Sequence, residues 1–77
     1  MKMVLVNWED SNIMHGWRVP EETTEDRVAD CQTIGFVIAD DEDKVILAMG
    51  KSSLGAVMEC ITIPRSCIQS IRELRLK

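Results

Sequence analysis

Chemistry in this chain has few places to come from. It has one histidine, His15, two tryptophans, Trp8 and Trp17, and three cysteines, Cys31, Cys60 and Cys67. The histidine and both tryptophans fall in the stretch "WEDSNIMHGW" at 8–17, with Asp10, Ser11, Asn12 and Gly16 between them. A nucleophile, a base and an orienting group would have to be Ser11, His15 and Asp10, all within six residues of one loop. A triad is defined by geometry and not by closeness in sequence. Ser and Asp in a loop commonly bond the local backbone, so the expectation is that the protein is not an enzyme. "GKSSLG" contains Gly-Lys-Ser, but a phosphate loop needs a glycine five residues before Gly50, where Val45 stands. "DDEDK" lacks the glycine and the late glutamate of a calcium loop. Three Cys and one His match the ligand count of a closed zinc site, yet no close Cys pair is present. No metal or cofactor is expected, and the cysteines read as small, reduced core residues.

Binding is the chemistry that survives. Trp17 follows Gly16 in a polar loop and precedes Arg18, an arrangement suited to stacking on a flat ring while a guanidinium holds an anionic group. Arg65, directly after Pro64, offers a second bidentate donor. Trp17, Arg18, Arg65 and His15 are therefore the candidate ligand-binding residues. Trp8 reads as scaffold, in phase with Val4 and Val6, with Asp10 and Ser11 tying down the turn that follows.

Charge is divided along the chain. Residues 1–43 carry eleven carboxylates against three cations, a net of −8, whereas residues 44–77 carry six cations against two carboxylates, a net of +4. Such a chain can repel duplex nucleic acid overall while offering a local cationic face, or can dock head to tail on its own copies. Seventy-seven residues form one domain, spanning 1–77, near the lower limit for a single core. A homo-oligomer is therefore expected. The N-terminal apolar run, Met3 to Val6, is too short for a secretory or membrane-spanning segment, so the expected location is the cytoplasm, with no membrane partner.

These residues must be positioned by strands. Alternating apolar residues predict strands near 2–8, 31–40, 44–50, 56–63 and 68–75, with a hairpin turned by "DDED" and a second turn at "KSSLG". Residues 18–27 read as a surface loop. "IPRSC" predicts a one-turn helix near 65–67 before the last strand, with a short helix over 66–75 as the alternative. The expected core is Val4, Val6, Ile34, Phe36, Ile38, Leu47, Ile61, Ile63 and Ile71, with Val45, Met49 and Val57 sharing the inward phase of their strands. The fold class is all-β, a small, strongly bent five-stranded barrel.

This strand order resembles Sm-like and Src-homology-3-like small barrels. The pattern of Trp8, Asp10 and Ser11, then Gly16-Trp17, then Thr-Ile-Gly-Phe at 33–36, then Thr-Ile-Pro-Arg-Ser-Cys-Ile at 62–68 is similar to small bacteriophage and prophage proteins. The resemblance implies a phage accessory protein with an anti-defence role, in a host cytoplasm. Three functions are carried forward. The first is capture of an anionic small ligand, such as a nucleotide-derived immune signal, near a subunit seam. The second is an inhibitor or adaptor that engages a basic host protein through the acidic loops at 21–26 and 40–43. The third is Sm-like single-stranded RNA binding, which a pI of 4.8 and only three aromatic residues disfavour.

Overall fold

A computed structural model describes residues 1–11 and 16–76. Five antiparallel strands form one sheet: β1 (Met3–Asp10), β2 (Ala29–Asp40), β3 (Lys44–Lys51), β4 (Val57–Pro64) and β5 (Ile68–Leu74). Their order across the sheet is β4-β3-β2-β1-β5, which puts β1 inside and leaves β4 and β5 as edges. The expected strands and the single 3-10 turn at Arg65–Cys67 are all present. The loop expected over 18–27 carries one further 3-10 turn, Pro20–Thr23, opened by proline at a position where no backbone N–H is needed. Among the described residues no helix is long and apolar enough to cross a membrane.

The connection between β4 and β5 dictates the curl. Strands lie about 4.8 Å apart, so the edges of a flat five-stranded sheet would be separated by about 19 Å. Arg65–Cys67, wound as a 3-10 turn with a rise of about 2 Å per residue, spans far less than that. The sheet must bend until its two edges meet at this corner. Away from the corner the edges part, since among the described residues β4 pairs only with β3, and β5 only with β1. The expected barrel is therefore a curled sheet with an open seam.

Two local devices allow the bend. On the inner face of β2, Gly35 has no side chain, and β3 lies so close that a Cβ there would sit 2.9 Å from the Ala48 carbonyl oxygen and 3.0 Å from the Leu47 Cβ. Between Val37 and Ala39 the β2–β3 register slips by one residue, a bulge that sharpens the local twist.

Inside the curl, Val4, Val6, Val45, Leu47 and Ile63 are buried, with Trp8, Val37, Ile61, Ile68 and Ile71 packed around them. Registers explain this set: Val4, Val6 and Trp8 face Gly35, Thr33 and Cys31 on one side and Glu73, Ile71 and Ile68 on the other. Val37 pairs with Leu47, which pairs with Ile61. The inward phase of β2 is thus Thr33, Gly35 and Val37. Ile34 and Ile38, expected in the core, are exposed, and Phe36 is half-buried on the outer face, where the Lys51 ammonium stands 5.1 Å from its ring centroid. Met49 and Val57 are also exposed rather than inward. Cys31 and Cys67 are half-buried, but Cys60 is exposed, against the expectation that all three lie in the core. On the outer face a polar ladder crosses three strands, with Gln32 donating to Asn7 at 2.9 Å and Asn7 donating to Ser70 at 3.0 Å.

Candidate functional site

The structure attaches the expected ligand-binding residues to different elements. Arg18 turns back into its own loop, with its guanidinium on both oxygens of Asp26, at 2.5 and 3.3 Å, and on the Glu22 carbonyl at 2.7 Å. The Asp26 bond holds it still more firmly protonated than an ordinary arginine. Arg65 is engaged with the hairpin turn between β2 and β3. It pairs with the Asp40 carboxylate and donates twice to the Asp41 carbonyl, at 3.1 and 2.7 Å, while its backbone N–H donates to the Asp43 carbonyl at 2.9 Å. Each arginine is a clamp on an acidic loop. Trp17 is fully exposed. His15 lies outside the described residues. No hydrogen bond or ion pair among the described residues joins Trp17, Arg18 and Arg65.

Trp8 behaves as scaffold, packing on the core and donating its indole N–H to the Thr33 hydroxyl at 3.0 Å. Asp10 accepts the Ser11 N–H at 2.8 Å, and the turn that these two were expected to tie down lies outside the described residues.

The acidic hairpin turn is itself well organised. Asp41 accepts the backbone N–H groups of Asp43 and Lys44, at 2.8 and 3.0 Å, and the Lys44 ammonium at 3.1 Å. The Asp43 N–H, followed by the Lys44 ammonium and N–H, holds its carboxyl below the usual carboxylate range. A carboxylate with a depressed folded pKa stabilises the fold above its unfolded value of about 3.9 and loses that contribution as pH falls further. Acidification below about pH 4 should therefore loosen this turn before the core. Faster amide exchange of Asp43 and Lys44 than of Leu47 on descending pH is the expected result, and equal protection throughout would contradict it.

A concavity opens beside this turn. β1 leaves β2 after Met3 pairs with Phe36, with one last bond from the Val37 N–H to the Lys2 carbonyl at 2.8 Å. Beyond it β2 follows β3, and a cleft of about 500 Å³ appears with Val4, Val37 and Ile71 as its floor and Lys2, Asp40 and Glu73 on its rim. A shallower groove of about 540 Å³ continues from the shared Asp40 across Asp41, Glu42 and Arg65. Four carboxylates face two cations around the joined surface, and both Asp40 and Arg65 are already paired. This arrangement can take an apolar group with a positive charge at its edge.

Fold and cleft together define a small all-β protein whose curled antiparallel sheet carries an acidic-rimmed apolar mouth. No family model matches the chain, and neither a curated protein nor a solved structure does.

Local sequence pattern does not reveal the cleft, because its six lining residues come from three strands and the chain just before β1, and its walls exist only where β1 and β2 part. Its acidic half does leave a signal, since "DDED" is the densest run of charge in the chain.

Proposed function

We propose that this protein is a non-catalytic protein-binding module that receives a basic, partly apolar segment of another protein in the cleft at the mouth of the curled sheet. The supporting observation is the cleft itself, an apolar floor of Val4, Val37 and Ile71 under a rim with an excess of carboxylates. An aliphatic side chain of the partner would displace water from the floor. A lysine or arginine beside it would meet Glu73, whose ion pair is with the largely exposed Arg75 at 3.0 Å, and Glu42 in the adjoining groove. Capture of an anionic ligand, the first expectation, has less support, because the anion would have to displace Asp26 from Arg18 or Asp40 from Arg65. On the further proposal that this is an accessory protein of the bacteriophage kind, such a surface would serve on a host protein.

The test is a tiled peptide library selected for binding, with nucleotides and cyclic nucleotides titrated in parallel. Selected peptides should be rich in Lys or Arg next to Leu, Ile or Val. Glu73→Lys and Glu42→Lys should weaken them several-fold, chiefly through slower and less salt-sensitive association. Trp17→Ala, on a fully exposed side chain, should leave the melting temperature unchanged. Selection of acidic or charge-neutral peptides, or tight nucleotide binding with no peptide binding, would reject the proposal.

A further inference from the structure

The molecule exposes more surface than its mass accounts for. Its accessible area is 6323 Å², about a third more than the roughly 4,700 Å² expected of a folded monomer of 8.7 kDa. It is also long, 52 × 26 × 22 Å with a radius of gyration of 16.1 Å, against about 11.5 Å for a compact chain of this length. The excess approaches what one subunit buries in a large obligate interface.

Much of the exposed apolar surface is contiguous. Where β2 and β3 separate, a cleft of about 260 Å³ is lined by Ile34, Met49, Glu59 and Ile61 among others. It is followed by a second, almost wholly apolar hollow of about 190 Å³, lined by Gly50, Lys51, Ala56, Val57 and Met58 at the end of the β3–β4 hairpin. Ile34, Met49, Met58 and Leu54, the last at the hairpin tip, are each more than half exposed. Leu54 is carried there by a tight turn in which the Ser52 hydroxyl accepts the N–H groups of Leu54 and Ala56, and Gly55 takes the positive φ, 90°, that closes it. The lining of the two hollows contains one cation, Lys51, and one anion, Glu59. Glu59 has no ion pair among the described residues, and its left-handed φ of 51° takes it and Met49 out of the β3–β4 ladder.

We propose that a second copy of this chain covers this strip in a two-fold symmetric dimer. An apolar surface carrying one charge of each sign is self-complementary, because a two-fold axis sets Lys51 of each copy toward Glu59 of the other. The area left uncovered and a core of five buried aliphatic side chains among the described residues both call for an apolar partner always present with the chain, and another copy meets that condition. This proposal is independent of the peptide cleft, which is lined by none of these residues.

Light scattering coupled to size exclusion, at micromolar concentration, reads the outcome. Wild type should run at twice 8.7 kDa. Leu54→Glu, at a side chain almost wholly exposed to solvent, and Met58→Glu should both run at the monomer mass with an unchanged far-ultraviolet spectrum. Glu59→Lys alone should dissociate the dimer, and combining it with Lys51→Glu should restore it. A wild-type monomer would overturn the proposal and leave the strip to a different protein. A dimer indifferent to both Leu54→Glu and Met58→Glu, or a charge swap that fails to restore assembly, would overturn the arrangement equally.

Discussion

Leu47→Ala should lower the stability of this protein by about 3 kcal/mol, within the range of about 2–5 kcal/mol for deleting a buried leucine. Leu47 is among the largest fully buried side chains and packs between Val37 on β2 and Ile61 on β4. With so small a core there is little neighbouring mass to collapse into the space. A domain of 77 residues is expected to have about 4–12 kcal/mol in total, so the loss is a large fraction of the whole. Ile34→Ala is the matched control. It removes a side chain of the same volume from the outer face and should cost under about 1 kcal/mol in the isolated subunit. Chemical denaturation of the two variants, at concentrations where assembly is equal, measures the difference. Equal losses would mean that the inward phase of β2 is Ile34, Phe36 and Ile38 after all.

Gly35→Ala should be destabilising by about 1–3 kcal/mol for the opposite reason, overpacking. The new methyl would arrive 2.9 Å from the Ala48 carbonyl oxygen. That oxygen belongs to backbone in the centre of β3, which cannot move without disturbing its pairing with Phe36 and Cys60. Gly35 does not need a positive φ, so backbone conformation contributes little to the loss and the clash dominates what is measured. A lower denaturation midpoint with an unchanged slope is expected. A Gly35→Ala variant as stable as wild type would show that β2 and β3 do not approach closely at this position.

The hairpin around "DDED", the turn at "KSSLG", the 3-10 turn after Pro64 and all five strands are legible in the sequence because each rests on local pattern. The phase of β2 is not. Its side chains are apolar on both sides, Ile34, Phe36 and Ile38 on one and Val37 on the other, and the larger set reads as the core. The decisive residue is Gly35, whose missing side chain carries no weight in an alternation pattern although it is what lets β3 fold onto β2. Among the candidate site residues, Trp8 is readable as scaffold from its phase with Val4 and Val6. Arg18 and Arg65 are readable as arginines available for an anion, but only geometry shows that each is spent on an acidic loop, Arg18 on Asp26 eight residues away and Arg65 on Asp40 twenty-five residues away.

The place of β1 in the sheet governs how this chain can be made. β1 is made before both of its neighbours in the sheet, β2 and β5, and its pairing with β5 runs to Leu74. Val4 and Val6 cannot be enclosed until Ile71 has been produced. An emerging chain therefore holds β1 half-paired until β5 has followed it, the condition in which partly folded β proteins associate wrongly. Closing that last long-range pairing makes the final step slow relative to hairpin formation. The acidic residues concentrated in the first half of the chain are present through that interval, when mutual repulsion between nascent copies is most useful.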